Sequence, residues 1–318
     1  MDLALRLDRV TKRYGDHLAV SALSLEVPAG SIYGVLGPNG AGKTTTLRMV
    51  NDILAPDEGQ IRLLDGLAPG PVAARRIGYL PEERGLYPKM KVIDTLVFFG
   101  QLRGLSARVA ARRGTTWLER LELGGWAERK VQDLSKGMQQ KVQFAAALIH
   151  EPELLILDEP WSGLDPINAE VLREIALEQR AAGRTIVFST HLMEQAEQIC
   201  DGVCIIARGR KVVDGPLADV RREAATRRLV AVAFADGDEI GPRVLAESRA
   251  VGSQRERRGF TELELAAEAE ASQLLSALVG AGAEVRRFEV IQPTLHQIFV
   301  DKVGAEAARG ALPEEHVG

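Results

Sequence analysis

Cysteine is nearly absent from this 318-residue chain: there are two, Cys200 and Cys204. So few thiols exclude a disulfide framework and suit a reducing compartment. Two cysteines with no histidine near them make a poor metal site, so both are expected in the core. There is no run approaching the ~20 apolar residues that a membrane-crossing helix needs. The opening stretch, "MDLALRLDRVTKRYGD", lacks the apolar centre and cleavage site of a secretory signal. Neither sign of charge dominates: 40 basic residues against 44 acidic ones give −4. The overall field therefore does not attract nucleic acid or anionic lipid, and clusters such as "RVAARR" and "RERR" read as solvated faces. No internal repeat and no heptad run is present. A cytoplasmic chain is expected, at a membrane only where a partner holds it there.

What is there is ordinary globular material, 46% hydrophobic and 26% charged, long enough for one large domain or two smaller ones. "LALRLDRVTKRYG" and "SALSLEVPAGSIYGVLG" predict strands, with a turn at Pro28-Ala29-Gly30. Residues 43–51 predict a helix, and 92–150 carry helical apolar spacing without clear strands. "ELLILD" and "RTIVFST" are short apolar runs of the kind buried in parallel sheets. Helical segments follow each of them, at 167–182 and 191–199. "GVCIIARGRKVVDG" predicts a hairpin turning at Gly209. The fold class is α/β with a helical insertion. After residue 220 the pattern changes to β-β-α-β-α, a small α+β domain of about eighty residues. The segment from 304 is expected to be a loose tail.

Two stretches carry chemistry. "GPNGAGKTT" places Gly37, Pro38, Asn39, Gly40, Ala41, Gly42, Lys43, Thr44 and Thr45 in the phosphate-binding pattern G-x-x-x-x-G-K-[ST]. Glycines let backbone N–H groups approach phosphate. Lys43 is expected on the β- and γ-phosphates, and the Thr44 hydroxyl on Mg²⁺. The loop follows a predicted strand and opens a predicted helix, whose positive end faces the same anion. The second stretch, "ILDEPWSGLDP", sets Asp158 and Glu159 side by side after an apolar strand. In phosphate-loop proteins such a strand delivers an aspartate beside the metal. Its neighbour Glu159 is then placed to polarise the attacking water as general base.

These motifs, with "LSKGMQQK" (134–141), "SGLD" (162–165), "STHL" (189–192) and "RYG" (13–15), resemble the ATP-binding subunits of ABC transporters from about residue 3 to 220. The resemblance implies a P-loop NTPase core of ABC type, residues 1–220, with a helical subdomain at about 86–153. Residues 221–303 resemble the accessory extension of many bacterial exporter subunits, mostly through "QPTLHQIFVDKVG"; 304–318 is left as tail. It further implies ATP with Mg²⁺, sandwiched head to tail between two subunits. Tyr14 then stacks on adenine. Ser135 and the N–H of Gly137 reach the γ-phosphate from across the interface, and His191 contacts it from the same chain. Asp165 links the two sites, though an Asp before Pro166 is equally a helix start.

Two departures matter. Lys136 and Met138 stand where the signature L-S-G-G-Q often has Gly and Gln. Glu82 stands where the family often has a Gln that touches Mg²⁺; a carboxylate also ligates through oxygen. The resemblance implies a separate membrane-spanning permease, received near residues 82–105, with exposed Tyr87 and Lys89 as contacts. The stripe Val92, Leu96 and Phe99 is expected to pack inward. The favoured reading is an exporter ATPase, a homodimer at the cytoplasmic side of the membrane with no nucleic acid partner. Alternatives are an importer ATPase, a soluble ABC ATPase on ribosome or DNA, and a non-catalytic regulator. A single P-loop, and a span of only 115 residues from Lys43 to Asp158, weigh against tandem-cassette and coiled-coil forms. Glu159 and His191 weigh against the regulator.

Overall fold

Strands with one wet face and strands buried on both faces separate into different sheets. The computed structural model describes residues 2–83, 85–224, 228–266 and 269–308. β1 (Leu3–Tyr14) and β2 (His17–Pro28) form an antiparallel hairpin with alternating burial. β3 (Ile32–Leu36) is buried at every position. α1 (Lys43–Val50), β4 (Glu58–Leu63), the short α2 (Pro71–Ala74) and β5 (Ile77–Leu80) follow, then three helices, α3 (Val92–Leu102), α4 (Ala107–Arg120) and α5 (Lys136–Leu148). The chain returns through β6 (Leu154–Asp158), α6 (Pro166–Ala181), β7 (Thr185–Thr190), α7 (Met193–Ile199), β8 (Gly202–Ala207), β9 (Arg210–Pro216) and α8 (Leu217–Ala224).

The hairpin and β4 make a three-stranded sheet, β2-β1-β4, and the remaining strands a six-stranded one ordered β5-β6-β7-β3-β8-β9. The latter is parallel except for β9. β3, β6, β7 and β8 are buried throughout, as expected of strands covered on both faces. Register brings Leu36 opposite Thr190 and Asp158 opposite Ser189. The carboxyl ends of β3, β7 and β6 therefore lie side by side, where open α/β sheets bind their ligands. α1 is anchored above them by Leu47, Met49 and Val50, in one core with Leu5, Leu7, Val20 and Ile156. In the helical insertion Val92 and Leu96 are fully buried and Phe99 half-buried. α5 is buried without interruption from Gln140 to Leu148. Cys204 is in the core and Cys200 half-buried, and burial pushes both thiols well up.

The chain splits into two compact units, Met1–Ala218 with Phe299–Gly318, and Asp219–Ile298. The second holds β10 (Leu229–Phe234), α9 (Ile240–Glu247), β11 (Val251–Arg257), β12 (Phe260–Leu265), α10 (Ala271–Gly280) and β13 (Val285–Ile291), and α11 (Leu295–Ala308) begins in it. Its antiparallel sheet runs β11-β12-β10-β13. Val230, Val232, Leu263 and Leu265 pack on Leu245, Leu274 and Leu278 of the two helices, the split β-α-β arrangement. This corrects the expected β-β-α-β-α order by one helix and one strand. "IGPRVLAE" contains a Gly-Pro pair that reads as a breaker, and β11 is an edge strand with six of seven residues exposed, so no alternation marks it. The tail is corrected too: α11 runs to Ala308, extended by the helix-forming "AEAA"; residues 309–318 lie outside the described residues.

Candidate nucleotide site

The loop between β3 and α1 is shaped by glycines that nothing else could replace. Gly37 has φ 152° and Gly42 φ 102°, and a Cβ would fall 2.1 Å from the Ile206 carbonyl oxygen at the first and 2.4 Å from that of Ala19 at the second. The loop thus keeps its open curve because its back is pressed on β2 and β8. Helix α1 starts at Lys43, so its first N–H groups face the loop. The buried Lys43 ammonium donates to Gly37 O (2.9 Å) and Pro38 O (3.2 Å) and lies 3.6 Å from Glu159 Oε1.

Asp158 ends β6 fully buried. Its Oδ1 accepts from Thr44 Oγ1 at 3.2 Å and from the Ser189 hydroxyl; its buried Oδ2 has no protein partner. Burial is the largest cause of a raised Asp158 pKa; the Ser189 and Thr44 hydrogen bonds oppose it, and the Glu82 and Glu159 charges add to it. A buried acceptor lacking a donor, beside a threonine hydroxyl, fits a divalent cation. Among the described residues no group of three or more His, Cys, Asp or Glu could hold a metal alone, so phosphate oxygens would have to complete such a shell.

Glu159 adopts φ 48°, a conformation that costs a non-glycine residue about 1 kcal/mol or more and clusters at functional sites. Its N–H meets Ser189 O (3.2 Å) and Oγ (3.1 Å). The turn aims the carboxylate at His191, whose N–H donates to Oε1 at 3.1 Å and whose Nδ1 lies 2.9 Å from the same oxygen.

One cavity of about 290 Å³ opens at the loop; Asp158 and His191 do not line it and meet it only through their hydrogen-bond partners Thr44 and Glu159. Tyr14, the loop from Asn39 to Thr45, Glu82 and Glu159 all line it. Tyr14 is 47% exposed, leaving a ring face open for stacking. Ser135, Gly137 and Asp165 are not among its lining residues. Ser135 caps α5, its Oγ accepting from Met138 N–H at 3.3 Å. Gly137 packs near the Leu164 side chain. Asp165 caps α6 through Asn168 N–H at 3.0 Å, so its helix-start role is present. Residue patterns did not reveal Ser189, which donates to the Asp158 carboxylate and accepts from the Glu159 N–H, or His17, which lines the cavity. A hydroxyl at the end of an apolar strand was the only signal for the former.

Comparison with known proteins gives two family matches. Residues 20–162 match the family described as ABC transporter, and 215–303 the C-terminal domain of DrrA1-3-like ATP-binding proteins. The ABC transporter ATP-binding protein YhaQ of Bacillus subtilis is 43% identical over 301 residues, covering 95% of this chain and 99% of that one. The chain belongs to the ATP-binding proteins of ABC transporters. The Nod factor export ATP-binding protein I of Cupriavidus metallidurans is 38% identical to this ABC protein over 309 residues, 96% and 99% of the two chains. A solved ATP-binding subunit of an ABC transporter is 32% identical, with TM-score 0.64, covering 70% of this chain and 93% of that one. A dimeric cassette bound to ADP and Pi shares the fold at TM-score 0.62 and 23% identity, over 67% and 98%. Among the described residues no helix of this ABC protein is long and apolar enough to cross a membrane.

Proposed function

We propose that this ATPase subunit binds MgATP in the cavity and hydrolyses it in a head-to-tail dimer, driving export through a separate membrane-spanning permease. The observation that carries the reading is the buried Asp158–Glu159 pair, whose two carboxylates have different surroundings. Asp158 Oδ2, with no donor of its own, is available to a cation together with Thr44 and Glu82. Magnesium would supply charge neutralisation at the β- and γ-phosphates. Glu159, with Oε1 beside His191 and Lys43, takes a proton from the attacking water. His191 and Lys43 then hold the γ-phosphate in line, and Tyr14 stacks on the base. Ser135 and Gly137, absent from the chain's own cavity, act on the ATP held by a second copy, with Asp165 at the junction. One subunit alone holds two half-sites.

Export rather than import is supported by the exporter relative from Cupriavidus, aligned over nearly its whole length. For the permease, Tyr87 and Leu102 are 49% and 62% exposed, and Arg103 follows Leu102 at the end of α3. Burial pushes that guanidinium's pKa down, and among the described residues no carboxylate pairs with it. Such a surface suits an apolar helix bearing an acid, and a subunit docked through it would lie at the cytoplasmic side of the membrane.

The test is the Glu159→Gln substitution in the full chain. Turnover should fall by about a thousandfold or more, MgATP should still bind, and sedimentation should show a trapped dimer. Tagged purification from solubilised membranes should bring down a multi-spanning protein. Full turnover in the variant would remove Glu159 as base, and ribosomal or DNA partners without a membrane protein would overturn the transport reading.

A further inference from the structure

α5 carries two glutamines three residues apart, Gln140 and Gln143, so they share a face. Each is only 5% exposed, and each spends its amide on main-chain carbonyls outside the helix. Gln140 Nε2 donates to Pro160 O at 3.1 Å, in the turn that begins at Glu159 with φ 48°. Gln143 Nε2 donates to Pro81 O and Glu83 O, both at 3.2 Å, the two residues flanking Glu82. Gln143 Oε1 is buried with no partner, an arrangement that costs stability and that an apolar side chain would avoid. The same helix is capped by Ser135, and Gly137 in its first turn packs near Leu164. One buried rod therefore has the signature at one end and, about one to two turns along, a grip on the loops of both acids in the chain's own cavity.

We propose that Gln140 and Gln143 are positioning residues that tie Glu159 and Glu82 to α5 and so couple the two ATP sites. The proposal rests on the dimer reading above. There, the N-terminus of α5 meets the ATP held by the second copy, while Glu159 and Glu82 serve the ATP held by the helix's own chain. A shift of α5 on contact with one γ-phosphate is passed through Gln140 to the strained Glu159 turn, and through Gln143 to the Glu82 loop. Because all three acceptors are main-chain carbonyls, the tie sets where the two loops lie without touching substrate.

The experiment compares the full-length chain with Gln140→Met, Gln143→Met and the double variant. Gln179→Met is the control, an equally buried glutamine (6% exposed) at the far end of α6 that pairs with Arg184. Steady-state ATPase gives kcat and the Hill coefficient, fluorescent-nucleotide titration gives the MgATP Kd, and calorimetry gives Tm. Each single variant should lose about tenfold in kcat, the worth of one hydrogen bond expressed only in the assembled site. The Hill coefficient should fall from near two towards one while Kd stays within about twofold. The control should lower Tm and leave kcat and cooperativity alone. If a Met variant does not fold, Gln140→Asn and Gln143→Asn keep an amide in the core but are one methylene too short to reach, and the same kinetic losses are expected. A chain that dimerises with MgATP, and whose variants keep wild-type kcat and Hill coefficient, overturns the coupling alone. A Glu159→Gln chain that stays monomeric with MgATP overturns the dimer reading and the coupling with it.

Discussion

Replacing Asp158 by Asn should make the protein more stable and inactive at once. The carboxylate is fully buried, and one of its oxygens has no donor. An unsatisfied buried group costs about 1–3 kcal/mol. An amide keeps the acceptor that Thr44 and Ser189 bond, but carries no charge against Glu82 and Glu159. After allowing for its own unpaired N–H, the net gain is about 1 kcal/mol, or roughly 2–4 °C in a domain of this size. The pH dependence has a definite sign. Because the folded-state pKa of Asp158 is raised, its protonated form is the one the fold favours. That contribution is complete below the unfolded-state carboxylate pKa and is lost as pH climbs through the elevated value. Calorimetry in EDTA from about pH 4 to about pH 8 should therefore show the variant's Tm advantage opening with pH and then levelling. With excess MgATP the order should reverse, since only the wild type gains the full ligand stabilisation. An Asn variant that melts lower than wild type at every pH in EDTA would refute the argument, as would equal stabilisation of both proteins by MgATP.

Other substitutions test other parts of the site. Gly37→Ala forces a Cβ to 2.1 Å from a backbone oxygen; stability should drop by more than about 2 kcal/mol in urea unfolding, with nucleotide binding lost. Tyr14→Ala should weaken ATP binding about five- to tenfold by titration, with Tyr14→Phe near wild type, since the ring face supplies the contact; a Phe variant as weak as Ala would shift the role to the hydroxyl.

Much of this architecture was legible because its signals are local. A strand buried on both faces must be apolar along its length, so β6 and β7 announced themselves, and the Gly37–Thr45 spacing is dictated by a phosphate's size. Ser189 was not legible, because its importance comes from lying opposite Asp158 in a neighbouring strand, and pairing leaves no mark in either run. Gln140 and Gln143 were hidden for a similar reason: within a helix pattern a glutamine reads as surface, and only the packing of α5 puts it inside. In the second unit, the Gly-Pro of α9 and the polar edge strand β11 contradicted the patterns by which helices and strands are recognised.

The order of strands in the larger sheet also bears on how the protein is made. β3 lies between β7 and β8, not beside β4 or β5, the strands that come next in the chain. During synthesis, its five buried residues and the phosphate loop behind them wait until Thr190 has been translated before a first neighbour can pair. Parallel pairings at such separation form slowly and leave apolar edges open meanwhile. A truncated product ending in the helical insertion would carry the whole phosphate loop but neither Asp158 nor β7. It would be a substrate for chaperones and proteases, not a weak ATPase.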